Sequence, residues 1–255
     1  MSSPSQPPAG AVSRESVATA EALFHGPQYR RHNARRQEHL ASLGLDLRGK
    51  SVLELGAGVG DHTTFFLDRD CTVISVEPRI ENCIIFGATM QSLRSAGYSK
   101  AANARLIQAD IESVAEKITQ RFDVVYSYGL LYHLSDPQRG LETMAAYCND
   151  LLLLETCVAF SAHEDVNPLP EPQVDPTQAF GGQGCRPARS WIFARLKALF
   201  AHVYVPRTQP AHEEFPLDWT AARAQSLTRA IFIAARRPLA NPQLLDHLPD
   251  RQIAI

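Results

Sequence analysis

The chain has 255 residues, with 25 Lys plus Arg against 27 Asp plus Glu and a formal net charge of −2. Its 45% hydrophobic and 20% charged residues exclude global disorder, a collagen-like chain and a coiled coil, and leave one large domain or two small ones. The near-zero charge also argues against broad nucleic-acid binding, which draws on a strongly basic balance.

Residues 1–14 are rich in Ser and Pro and predict a disordered start, without the charged and apolar regions of a signal peptide. Residues 15–44 predict an N-terminal helical arm that stops at Gly44. Along it Tyr29, Arg30, Asn33 and Arg36 share one broad face. From residue 45 the period changes. A short apolar run over 50–56 ends in glycines and predicts a buried strand, followed by a helix over 61–69. A second strand over 71–77 leads into a helix over 79–97, a third strand covers 104–110 and a fourth 122–127. A helix over 136–148 and a fifth strand over 151–156 complete the regular part. Strands alternating with helices at this spacing predict βαβ units and a mostly parallel sheet, and near-continuous apolar strands predict a sheet covered on both faces.

Residues 161–189 break that rhythm with five prolines and with Gly181, Gly182 and Gly184. A loop of this length inside a domain is usually functional or mobile; residues 180–193 are a candidate lid, with a plain helix entry at Pro187 as the alternative. A helix over 191–200, a strand over 203–205, a loop over 206–219 and a last strand over 229–235 follow. The stretch 238–255 is Pro-rich and predicts a peripheral tail, so the main domain is 45–237. The five cysteines, Cys71, Cys83, Cys148, Cys157 and Cys185, include no Cys-x-x-Cys pair and predict reduced, buried thiols in a cytoplasmic protein. No run reaches the roughly 18 apolar residues of a membrane span.

The informative motif is Glu54-x-Gly56-x-Gly58-x-Gly60, straight after a strand and before a helix. Glycines let a ligand approach the backbone, and a helix N-terminus favours negative charge. The dinucleotide spacing fails because Asp61 stands five positions after Gly56, and no Gly-Lys-Ser/Thr closes a Walker loop. The pattern instead resembles the first motif of the class I S-adenosylmethionine-dependent methyltransferases. Glu77 and Asp110 at the ends of the next two strands, and the fourth strand running into Tyr128-Gly-Leu-Leu-Tyr132-His133-Leu134, extend that resemblance over roughly residues 45–237. The resemblance implies an α/β, Rossmann-like, mostly parallel seven-stranded sheet with helices on both faces and the last strand antiparallel. It implies S-adenosylmethionine as cofactor, with Glu54, Gly56, Ala57, Gly58 and Gly60 along the methionine part, Glu77 on the ribose, and Pro78, Arg79, Asp110 and Ile111 around the adenine. Tyr128 falls at the sulfonium end, and an arginine of the N-terminal helix, Arg30, is set to pair with the cofactor carboxylate.

For the chemistry, His133 is the candidate base, because a hydroxyl acceptor needs its proton removed and a histidine titrates in the right range. Tyr132, Arg186, Trp191 and His212 are the candidate substrate contacts. Glu155 at the end of the fifth strand, with His163, Glu164 and Asp165 beyond it, offers metal-type ligands, but no metal is expected, and His212-Glu213-Glu214 in the loop before the last strand offers a substrate contact. The expected partner is a small-molecule methyl acceptor, bound by a monomer or homodimer, with no membrane and no nucleic acid. O-methylation leads. N-methylation and a tRNA or other RNA modification by methyl or carboxymethyl transfer are the alternatives, the latter because the 128–134 loop also looks like that of a wobble-uridine carboxymethyl-transferring relative. A binding module that has kept the fold without catalysis stands third.

Overall fold

The computed structural model describes residues 12–161, 163–220 and 227–255. Residues 1–11, most of the segment expected to be disordered, lie outside it. Helices α1 (Arg14–Phe24) and α2 (Pro27–Ser42) form the arm. Sequence periodicity predicts one helix there, but the chain breaks at Gly26-Pro27: proline lacks the N–H that an uninterrupted helix needs, and it suits the first turn of the next one. Strands β1 (Ser51–Leu55), β2 (Thr72–Glu77), β3 (Ala104–Gln108), β4 (Phe122–Tyr128) and β5 (Cys148–Cys157) alternate with helices α3 (Thr63–Leu67), α4 (Ile80–Ser95) and α5 (Pro137–Tyr147). The 161–189 segment holds a small hairpin of β6 (Pro168–Pro170) and β7 (Gln183–Cys185). Then come α6 (Arg189–Leu199), β8 (His202–Pro206), β9 (Thr208–Gln209), β10 (Arg229–Ala235), β11 (Leu244–Leu245) and β12 (Ile253–Ala254).

The main sheet has the order β11-β8-β10-β5-β4-β1-β2-β3. Strands β1 to β5 pair in parallel, and β10 is antiparallel to both β5 and β8. The seven expected strands are present, with the two-residue β11 as an eighth at the edge. Alternate strand residues face opposite ways. Leu53, Val125, Leu152 and Phe232 pack with Leu141 and Met144 of α5 and Ile192 and Leu196 of α6 on one face. Val52, Val124, Leu153 and Ile233 pack with Leu40 of α2, Phe66 of α3 and Phe86 of α4 on the other.

The tail is not peripheral. Asn241 donates to the Leu43 carbonyl at 2.7 Å, and β12 pairs with β9. Buried Gln252 accepts from Trp219 Nε1 at 2.7 Å and from Gln209 at 3.0 Å. Its prolines hide this role, because they suppress regular elements without preventing side-chain docking. All five cysteines are free and buried, and among the described residues no helix is long and apolar enough to cross a membrane.

Candidate functional site

A cavity of about 1100 Å³ opens at the carboxyl ends of the parallel strands, where ligands of open α/β sheets bind. One end is built by β1, β2 and β3. The turn after β1 places Gly56, Gly58 and Gly60 at positive φ. Gly60 has a second constraint: a Cβ there would stand 2.5 Å from the Phe86 ring. It shapes the turn without lining the cavity, whereas Gly56, Ala57 and Gly58 line it. Glu54 also lines it, and its Oε2 accepts from Thr63 Oγ1 at 2.6 Å and Ser75 Oγ at 2.7 Å. Burial pushes the Glu54 carboxyl up to about 7 despite those bonds.

Glu77 ends β2 under the glycine turn. Its Oε2 accepts from the Gly58 N–H at 2.9 Å, and its Oε1 from the Arg79 N–H at 3.0 Å and Asn82 Nδ2 at 3.1 Å. Burial raises its carboxyl against these donors. Pro78, Asp110 and Ile111 line the same end. Arg79 lines it too, but its guanidinium turns to the 161–189 insert, donating to the carbonyls of Gln173 at 2.9 Å and of Gln178 and Ala179 at 3.3 Å. The insert is thereby fastened over the cavity, with Pro176, Thr177, Gln178 and Gln183 in its lining.

The other end gathers residues from distant parts of the chain. Arg30 is exposed and does not line the cavity. Arg36 does, because helix geometry groups Tyr29, His32, Asn33 and Arg36 at three- and four-residue steps while Arg30 lies about 100° away. Arg36 bonds Glu155 at 2.9 Å and also bonds Asn33, whose Nδ2 reaches Asp61 at 3.1 Å. Glu155, fully buried at the end of β5, takes a second arginine, Arg229, at 3.0 Å. Arg229 extends to Glu214 at 2.5 Å and to the Tyr132 hydroxyl at 3.3 Å. Burial alone would raise the Glu155 carboxyl, but Arg229 and Arg36 outweigh it and hold it below the usual range. One polar chain thus runs from Asp61 to Glu214 beneath the cavity.

His133 follows β4 in a single 3-10 turn, Leu131–His133, and lines the cavity. Its Nδ1 bonds the carboxylate of Glu171, which the insert supplies. Burial pushes the imidazole below its ordinary value, Glu171 opposes this, and Arg229 and Arg186 add to it. His133 does not cap α5, since Asp136 does that by accepting from the Arg139 N–H. Tyr128 lines the cavity with its buried hydroxyl unbonded, and Tyr132, Arg186 and His212 line it as well. Trp191 does not: it belongs to α6 and is buried in the core. His163, Glu164 and Asp165 are exposed and away from the cavity. Among the described residues His32, His212 and Glu214 have ligand atoms within 4.8 Å of one another, but Glu214 Oε2 is already bonded by Arg229.

The sequence reading missed Glu171, Arg229 and His32. Glu171 sits between prolines with no local signal, and Arg229 looks like a solvated strand end. Arg36 belongs to the same broad face as Arg30, and packing decides that the part of it carrying Tyr29, His32, Asn33 and Arg36 meets the cavity.

A family model described as a methyltransferase domain matches residues 28–203. The tRNA U34 carboxymethyltransferase of Alteromonas mediterranea (strain DSM 17117 / CIP 110805 / LMG 28347 / Deep ecotype) is 35% identical over 115 residues, which are 44% of this chain and 34% of that protein. The chain therefore matches about a third of this curated relative's length. Among solved structures, the N-terminal domain of EvdMO1 in the presence of SAH and D-fucose superposes with a TM-score of 0.59 at 21% identity, over 89% of this chain and 85% of that one. Magnesium protoporphyrin IX methyltransferase from Synechocystis PCC 6803 with bound SAM gives 0.52 at 13% identity, over 89% and 99%. At such identities these structures share the fold.

Proposed function

Because the chain belongs to the methyltransferase domain family and is an S-adenosylmethionine-dependent methyltransferase, we propose that it methylates a small molecule at oxygen with His133 as general base. The observation that carries this is the seat of His133: it lines the cavity, Glu171 bonds its Nδ1, and no protein group among the described residues bonds its Nε2. The cofactor supplies an electrophilic methyl group when bound. The cofactor end fits it, since Glu77 offers a carboxylate for the ribose hydroxyls, Asp110 one for the adenine amino group, and the Tyr128 hydroxyl is buried without a partner.

A hydroxyl acceptor needs its proton removed as it attacks, whereas a neutral amine does not. His133 suits the task because burial keeps it neutral at pH 7, so Nε2 is free to take that proton. Alignment of acceptor and methyl group by the cavity walls supplies the larger part of the acceleration, on the order of 7–11 kcal/mol. Size supports a small acceptor: ligand pockets measure roughly 300–1,000 Å³, and 1100 Å³ leaves room for one modest molecule beside the cofactor. The insert fastened by Arg79 roofs this space, which disfavours a nucleic-acid strand. The free thiols suit a reducing compartment, the cytoplasm.

The test is a methyl-transfer screen over alcohols, phenols, sugars, amines and tRNA, with S-adenosylhomocysteine binding measured by calorimetry. His133→Ala is expected to lower turnover about 100-fold and to leave S-adenosylhomocysteine affinity unchanged. Wild-type turnover should rise with pH through a limb below the ordinary histidine value. Full turnover of the variant at its pH optimum overturns the base. A salt-sensitive response to tRNA alone overturns the small acceptor.

A further inference from the structure

We propose that Glu171 is the positioning residue for His133, so that the β6–β7 hairpin carrying it is part of the working site. This rests on His133 being the base. Glu171 lies 38 residues away along the chain, yet its buried carboxylate receives three donors at once. His133 Nδ1 and the Ala179 N–H, at 2.8 Å, meet Oε2, and Arg186 meets Oε1 at 3.1 Å. An ionised carboxylate only accepts. His133 must therefore bond it through Nδ1–H, which leaves the lone pair of the neutral ring on Nε2. Without that partner the two tautomers compete, and half the job of a base is to hold the right one.

The charges around His133 point the same way. Arg186 on the insert and Arg229 on β10 both oppose a positive imidazole, and Tyr132 packs its ring 3.8 Å from the imidazole. Among the described residues, Glu171 is the acid that bonds the ring and offsets those arginines once it takes a proton. The hairpin is shaped for this contact. A Cβ on Gly184 of β7 would stand 2.5 Å from the Tyr132 carbonyl oxygen and 2.9 Å from Glu171 Cδ, so only glycine lets the strand lie against the His133 turn. Cys185 next to it approaches the Leu131 carbonyl at 3.8 Å. Placing the insert and orienting the base are therefore one event.

The tautomer can be read without an acceptor. In protein with 15N-labelled histidine and bound S-adenosylhomocysteine, NMR should show His133 protonated at Nδ1 near neutral pH. A ring protonated at Nε2 overturns the proposal in the wild-type protein, whatever the variants do. Glu171→Gln should lower the His133 pKa, because the carboxylate favours the charged ring, and move the acidic limb of turnover to lower pH. It should also lower kcat about tenfold or more while KM and S-adenosylhomocysteine affinity hold. Glu171→Asp, which keeps the carboxylate, should recover part of that rate. Gly184→Ala should mimic Glu171→Gln in both the NMR signal and kcat. A Glu171→Gln enzyme with wild-type limb and kcat overturns the positioning role and leaves the base intact. Full turnover of His133→Ala instead removes the base on which the role rests.

Discussion

The two ends of the cavity are built by opposite strategies. At the end proposed for the cofactor, Glu77 sits at the end of its own strand and bonds near neighbours: Gly58, Arg79 and Asn82, all within 19 residues. At the end proposed for the acceptor, Glu155 reaches 119 residues back to Arg36 and 74 forward to Arg229. The first end is a local turn with charge added, whereas the second is a buried ion-pair network on which several elements depend. The difference teaches where binding and folding are separable in this chain and where they are one property.

The sharpest break is Glu155→Ala. It leaves Arg36 and Arg229, 4% and 6% exposed, without their shared carboxylate. Removing one partner of a buried ion pair typically costs about 3–5 kcal/mol. Urea unfolding of this variant should show a loss of that order together with lost activity. A stable but inactive variant would mean that the network serves the acceptor alone, and the contrast between the two ends would collapse.

This contrast also explains what the sequence shows on its face. The parallel strands, the glycine turn, Glu77 and Asp110 are readable because a strand's period and the residue at its end are local facts. His133 is readable for the same reason, since it stands five residues after the last residue of β4. Glu171, Arg229 and His32 are not, because their meaning comes from partners brought in by the fold: Glu171 meets His133 across 38 residues, Arg229 meets Glu155 across 74, and His32 lies beside His212 and Glu214. Arg30 and Arg36 have the same chemistry and stand on the same helix, less than two turns apart. Only the burial of one helix face chooses between them, and helical spacing alone defines that face too broadly.

A smaller effect probes the seam between the two strategies. Glu54 lies in β1 itself, and burial raises its carboxyl from the ordinary 4.5 to about 7. A carboxyl whose folded value is raised stabilises the fold fully below its unfolded value and loses that contribution as pH rises through the folded one. Glu54→Gln keeps an acceptor for Thr63 and Ser75 but cannot ionise. Its stability relative to wild type should therefore grow between pH 4.5 and 7, by an amount on the order of 2–3 kcal/mol. Thermal unfolding of both proteins across that range checks it. A constant difference would mean that Glu54 is ionised throughout, and that this strand position carries a charge like Glu155.

The smallest change in stability is expected at Glu77, although its functional effect is large. Glu77→Ala removes a carboxylate from the cavity wall, but the three groups that donate to it border an open cavity that water reaches. The glycine turn keeps its backbone bonds from Gly56 and Ala57 to the Val76 carbonyl, both at 3.0 Å. Folding should therefore survive with a nearly unchanged unfolding midpoint. Affinity for S-adenosylhomocysteine should fall about tenfold or more if Glu77 holds the ribose as proposed, since two charge-assisted bonds, each of roughly 1.5–3 kcal/mol before water replaces them, go with the carboxylate. Calorimetry and thermal unfolding on the same sample separate the two effects. An unfolded variant would mean that the cofactor end is as interdependent as the acceptor end, and a folded variant with full affinity would mean that Glu77 holds the turn rather than the ribose.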